Sequence, residues 1–297
     1  MQNLLKKSVG TRVMPRQPLM VMAAEKYYVY RYGKFGISHF YSFTAATASG
    51  AMDAAQVVPD GSSDIVFHCG DGYRADCYGT RLYSHGLVDI PTIQPGSRMF
   101  GIRFYQGQAY LPNNFPEAEL TENRVNMYAI MRDHQTLDRI CRSKNFMEQI
   151  QIFLSMYVND YCKFTEMSMK NYAVDYMLRR MMESRGLVKQ KDLSDETKYS
   201  VRYLNELFTQ NLGVSPKAFC RMIQYQYLIS LLNTGSNLSD VAFKAGFYDQ
   251  AHFIHEFKLF TNMTPTCYLK KLHNSGYEKK LVVMNQQNFM SHEQQTF

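Results

Sequence analysis

The chain has 297 residues, of which 45% are hydrophobic and 20% charged, which suits two globular domains and excludes a disordered polymer. Its longest apolar runs fall well short of the roughly 20 residues that span a bilayer, and no cleavable apolar leader follows Lys6 and Lys7, so neither a membrane helix nor a signal peptide is expected. The net charge of +7 is unevenly placed: Lys170 to Lys280 holds 16 Lys and Arg against 10 Asp and Glu, whereas residues 1–169 hold 17 against 15, so an anionic partner such as nucleic acid would meet the second region, although a plain solvated surface fits the charge equally well.

The first 120 residues read as β structure. Lys26 to Tyr32, Ile37 to Thr44, Asp64 to Cys69 and Met99 to Tyr105 are rich in aromatic and β-branched residues. Turn chemistry separates them: Pro59-Asp60-Gly61, Gly70-Asp71-Gly72, Pro91 and Pro95-Gly96. Short strands alternating with turns predict an all-β domain, barrel- or sandwich-like, over residues 1–120.

From Thr121 the spacing becomes helical. Ile150, Phe153, Leu154, Tyr157, Val158 and Tyr161 form one apolar stripe. That stripe reads as core before partner surface, with dimerisation left open by its place in a helical linker over residues 121–170. Residues 171–274 then read as an all-α domain, and 275–297, rich in Asn, Gln and Lys, as a loose tail.

Within the helical domain, Asn171 to Glu183 sets Val174, Met177, Leu178, Met181 and Met182 against Arg179 and Arg180, and Gly186 ends the helix. A short helix at Leu193 to Thr197, a tight turn at Lys198-Tyr199 and a capping Ser200 lead into a helix running to Gln210. There Leu204, Leu207 and Phe208 must face the core, which leaves Arg202, Asn205, Glu206 and Thr209 outward. Such side chains can reach base edges: Arg suits guanine, Asn suits adenine and Glu accepts from cytosine. Every surface helix has a polar face, so this segment alone decides nothing.

A second copy changes the balance. Leu238 and Val241 precede a tight turn at Gly246, and Asp249 caps a helix with Phe253, Phe257 and Phe260 on one side and Gln250, His252 and His255 off that stripe. Phe208 and Phe257 each follow their cap by eight residues. Ser215-Pro216 opens a connector helix reaching about Asn233, roughly 25 Å long. A rod of that length can hold two recognition helices about one DNA turn, near 34 Å, apart.

On these residues the chain resembles the AraC/XylS family of bacterial transcription regulators. The resemblance rests on Ser200-Val201-Arg202-Tyr203-Leu204, Leu207-Phe208 and Gly213-Val214-Ser215-Pro216, then on Val241-Ala242, Ala245-Gly246-Phe247, Asp249-Gln250, Phe253, Phe257-Lys258, Thr264-Pro265 and Tyr268. It implies a cytoplasmic bacterial activator that touches RNA polymerase, with an N-terminal domain sensing a small effector. It implies base contacts from Arg202, Asn205 and Glu206 and from Gln250, His252 and His255. Ser200, Lys217, Arg221 and Lys258 are the expected phosphate contacts. Gln224 and Leu228 depart from the family's usual arginine and alanine, and Ala251 and Ile254 thin the polar face of the second unit.

Two other readings compete. An enzymatic N-terminal half would draw on His39, His68, Cys69, Asp71, Cys77 or His85, but no HxH, GxSxG, HExxH or GxxxxGK[ST] motif supports it, and no cofactor or metal is expected. The six cysteines form no CxxC pair and read as reduced, mostly buried thiols. The second reading is a DNA-binding scaffold without a ligand. Tyr27, Tyr28, Tyr30, Tyr32, Phe40, Tyr41 and Phe43 could line a pocket, but sheet core is the better account of most of them.

Overall fold

The computed structural model describes residues 14–46, 55–69, 76–81, 88–90, 96–111, 115, 119–120, 125–167, 172–232 and 237–284. The Gly70-Asp71-Gly72 and Pro91 turns, His85 and the last thirteen residues of the expected tail lie outside them, as does the side chain of Cys77.

A short helix α1 (Pro18–Ala23) with proline in its first turn leads into β1 (Ala24–Arg31) and β2 (Ile37–Ala45). Then come β3 (Ala55–Val57), β4 (Ser63–Cys69), β5 (Asp76–Arg81), β6 (Val88–Ile90), β7 (Arg98–Phe104) and β8 (Val125–Asn126). The four runs of aromatic and β-branched residues are thus β1, β2, β4 and β7. Helices α2 (Met127–Ile130), α3 (His134–Arg142) and α4 (Phe146–Met167) follow. The helical half comprises α5 (Tyr172–Glu183), α6 (Gln190–Thr197), α7 (Val201–Leu212), α8 (Pro216–Leu232), α9 (Leu238–Lys244), α10 (Gln250–Thr261) and α11 (Pro265–Asn274). Last come α12 (Tyr277–Lys280) and β9 (Leu281–Met284). The fold is α+β: a strand-rich unit followed by a helical one. Among the described residues no helix is long and apolar enough to cross a membrane.

The larger sheet runs β8-β5-β4-β7-β2-β1-β9, and β3 pairs with β6 separately. Strand β2 lies inside it, between β7 and β1, and is buried along almost its whole length, so both faces of the sheet are covered. On one face Phe40, Phe67, Phe100, Ile102 and Phe104 pack against Leu137 and Ile140 of α3 and Ile150, Phe153 and Tyr157 of α4. The apolar stripe expected to serve as core does so, as the cover of one face of the sheet. Phe153 is fully buried, and the stripe is occupied within the chain.

The opposite face joins Tyr27, Val29, Tyr41, Phe43, Val66 and Met99 to Met20 and Val21 of α1. Of the seven aromatic residues near the start, Tyr27, Tyr30, Phe40, Tyr41 and Phe43 are buried in these two cores, while Tyr28 is partly exposed. Gly101 allows this arrangement, since a Cβ there would lie 2.1 Å from the Tyr41 ring.

Within the segment expected to be a loose tail, residues 277–284 form α12 and β9. β9 adds to β1 in parallel, pairing Tyr27 with Leu281 and Tyr30 with Met284. Lys280 Nζ donates to the Met22 carbonyl at 2.6 Å and Lys26 Nζ to the Lys279 carbonyl at 3.0 Å. The run Leu281 to Met284 has the apolar, β-branched character that an open sheet edge accepts.

Beneath that second face lies a buried polar cluster. Arg103 donates to Asp64 Oδ1 at 2.8 Å and Oδ2 at 2.5 Å, and to Asp60 Oδ2 at 3.0 Å. Gln17 donates to Asp60 Oδ2 at 2.7 Å, and Tyr41 donates its hydroxyl hydrogen to Asp64 at 2.9 Å. Burial pushes the Asp60 carboxyl up, against the pull of Arg103. His39 is held well below its ordinary value by burial, and then by Arg103 and Arg31. It therefore stays neutral when folded, while the unfolded chain takes up a proton below about pH 6.5. Stability is then full above that pH and falls below it, by up to about 1.4 kcal/mol per pH unit. Urea unfolding between about pH 7.5 and 5.5 should show a shallower pH slope for His39→Gln than for the parent; equal slopes would exclude a neutral buried His39.

Candidate nucleic-acid interface

Helices α5 to α11 close around one core in which Leu204, Phe208, Phe219, Ile223, Tyr225, Leu228, Phe253, Phe257 and Tyr268 are each no more than 2% exposed. In the first unit α6 ends at Lys198 in the left-handed conformation (φ 64°), and Ser200 caps α7 by accepting from the Tyr203 N–H at 3.2 Å. Gly213, also left-handed, ends α7. In the second unit α9, capped by Asn237, is followed by Gly246 at φ 81°, and Asp249 caps α10 by accepting from the His252 N–H at 2.7 Å. Both expected turns stand where the sequence puts them, each with one left-handed residue ahead of a cap.

The outward faces are as follows. The Arg202 side chain is 90% exposed and ion-pairs with Glu206 one turn on, Nε to Oε1 3.0 Å. An exposed i,i+4 pair contributes less than about 1 kcal/mol, so a stronger anion can draw Arg202 away. Asn205 is half-buried, and its Oδ1 accepts from Gln190 Nε2 at 3.2 Å, which ties α6 to α7 and leaves the amide N–H groups for another partner. Gln250, His252 and His255 are exposed on α10. The His252 ring leans edge-on against Phe247, with centroids 5.4 Å apart. Ile254 is half-buried against the core, so it serves packing.

Of the four residues expected at phosphates, Ser200 keeps a hydroxyl hydrogen to donate, and Lys217 and Lys258 are exposed. Arg221 is placed differently. Its Nε and Nη2 donate to Glu256 Oε2 at 3.2 and 2.6 Å, joining the connector α8 to α10. Gln224, in place of the family's usual arginine, donates to the Ala245 carbonyl at 2.7 Å and so fastens α8 to the turn of the second unit. Gly246 completes the junction, because a Cβ there would meet Leu187 at 2.6 Å. Leu228 is fully buried.

Sequence reasoning passed over Tyr199 and Tyr248. Each immediately precedes a cap, Ser200 or Asp249, and each ring is exposed, Tyr248 to 96%. An isolated tyrosine in a loop has no periodicity to mark it; the available clue was the repeat of Tyr-cap in both units.

Residues 193–271 match the family model of a helix-turn-helix domain. These residues, from α6 to α11, are a helix-turn-helix domain. HTH-type transcriptional regulators of Staphylococcus aureus, from strains MSSA476 and N315, are each 30% identical to the chain over 99 residues. Those 99 residues are 33% of this chain but 13% of either relative, so the likeness is to this domain. Among solved structures, ToxT from Vibrio cholerae O395 bound to (E)-4-(8-methylnaphthalen-1-yl)but-3-enoic acid is 15% identical, covering 83% of this chain and 98% of that one with a TM-score of 0.40. Unsaturated fatty acid-bound ToxT from strain SCE256 is 14% identical, covering 72% and 88%, with a TM-score of 0.36.

The helix-turn-helix domain is continuous with the strand-rich unit. Leu19, Met22 and Val58 belong to its core cluster. Gln226, a buried residue of α8, accepts from the Arg16 N–H at 2.9 Å and donates to the Pro59 carbonyl at 3.3 Å. Pro59 adjoins Asp60, so the Gln226 side chain of the connector helix reaches to within one residue of the Arg103 cluster.

Proposed function

We propose that the protein is a sequence-specific DNA-binding transcription regulator that reads duplex DNA through α7 and α10. The observation that carries this reading is the duplicated capped helix, each copy seated by a buried phenylalanine and turning unburied polar side chains outward, with α8 packed between. Arg202, Asn205 and Glu206 form one reading set, and Gln250, His252 and His255 the other. Ser200, Lys217 and Lys258 hold phosphates, joined by the hydroxyls of Tyr199 and Tyr248. Arg221 acts as a brace that orients α10.

Arg202→Ala should weaken binding by about 1–3 kcal/mol and relax preference at one base position. Equal losses on specific and random duplexes, followed by fluorescence anisotropy, would make Arg202 a phosphate contact and remove the first reading set. Lys217→Ala or Lys258→Ala should lower affinity on every sequence and reduce the slope of log affinity against log salt by about one. An unchanged slope would take that lysine off the interface.

The link from Gln226 to the Asp60–Arg103 cluster supports control of the DNA-binding domain by the strand-rich unit. A small effector bound to that unit would act through this route. Activation through RNA polymerase completes the reading, and transcription in vitro with purified polymerase tests it. Among the described residues no group of three or more His, Cys, Asp and Glu could hold a metal ion.

A further inference from the structure

We infer that Cys69 and Cys141 form a reversible dithiol–disulfide pair, oxidised by small hydroperoxides. Cys69 ends β4 and Cys141 lies in the last turn of α3, and both are buried thiols. Two straps bring these ends together. Gln149 Nε2 on α4 donates both to Cys69 Sγ at 3.3 Å and to the carbonyl of Ile140, the neighbour of Cys141, at 2.9 Å. Arg98 stands opposite Cys69 across the β4–β7 ladder and reaches over to donate to the carbonyl of Ser143, the C-cap of α3, at 3.0 Å. These two straps set the buried thiols side by side, and Cys141 is the first cause of the lowering of Cys69. Arg98 Nε is buried without an acceptor among the described residues, a donor that a thiolate beside it would satisfy.

The surroundings distinguish the two sulfurs. The hydrogen bond from Cys141 lowers the Cys69 thiol from its usual value, against burial, with help from Arg98 and Gln149. Cys141 sits at the negative end of α3, which disfavours a second thiolate. Cys220 shows the contrast: with burial as the cause, its thiol is pushed up to about 12. Cys69 is therefore the attacking sulfur and Cys141 the resolving one.

The Cys69 thiolate displaces hydroxide from hydrogen peroxide, cleaving the O–O bond and becoming a sulfenic acid. The Cys141 sulfur then attacks that sulfur, loses its proton and releases water as the S–S bond forms. Two thiols and one peroxide yield one disulfide and two waters, and an external dithiol reverses the change.

The test uses the full chain, reduced and then treated with equimolar hydrogen peroxide, alkylated under denaturing conditions and mapped by mass spectrometry. The expected product joins the Cys69 and Cys141 peptides with the loss of two hydrogens, and dithiothreitol returns both thiols. Arg98→Gln should slow its formation, since the guanidinium beside Cys69 helps to lower its thiol. In Cys141→Ser, dimedone should trap Cys69 as its sulfenic acid. Mapping the unaltered chain decides the matter even if a variant fails to fold. Oxidation confined to Cys162 or Cys267, a linkage to any other cysteine, or sulfinic acid at Cys69 with Cys141 still a thiol would overturn the proposal.

Discussion

Arg103→Ala is expected to destabilise the protein by about 3–5 kcal/mol, because it strands two carboxylates where water cannot reach them. Arg103 is 3% exposed, and Asp60 and Asp64 are buried with it. Burial opposes a charged guanidinium, but Asp64 and then Asp60 hold Arg103 protonated well above its ordinary value. Arg103→Met combined with Asp60→Asn and Asp64→Asn should recover much of the loss, since replacing a whole buried ionic group is far cheaper than halving it. Urea unfolding monitored by tyrosine fluorescence provides the measurement. A cost under about 1 kcal/mol for Arg103→Ala would show that the carboxylates are already neutral. The same variant tests coupling: if the Asp60–Gln226 route carries control, DNA affinity should change in Arg103→Ala at temperatures where the chain remains folded.

The other large effect is expected at Phe257. Its ring is fully buried between Phe253, Tyr225 and Tyr268, with centroids 6.1, 5.7 and 5.5 Å away. Phe257→Ala opens a cavity beneath α10 and should cost about 3–5 kcal/mol. Gln250, His252 and His255 lose their seat first, since α10 owes its position to this stripe and to the Arg221–Glu256 brace. Footprinting should then show protection contracting to the half of the site read by α7. A full-length footprint with undiminished affinity would mean that α10 contributes little to recognition.

The local elements were legible in the sequence wherever periodicity was strong. Val174 to Met182 and Leu204 to Phe208 repeat at helical spacing, and Phe253 to Phe260 does the same. Ser200 and Asp249 carry the capping oxygens that fix where α7 and α10 begin, and the β1, β2, β4 and β7 runs have the β-branched and aromatic content of buried strands. The paired strands β3 and β6 are only three residues each, too short for alternation to stand out.

What the sequence determined by itself was the set of amphipathic pieces and the duplication of capped helices in the second half, because caps, turns and apolar stripes act over a few residues. Tertiary structure alone decided which distant pieces share a surface. It set α3 and α4 on the sheet, placed residues 281–284 at the edge beside β1, turned Arg221 toward Glu256, and buried Arg103 between Asp60 and Asp64. Each of these joins groups far apart along the chain, where burial and charge pairing select the partner and no local spacing records the choice.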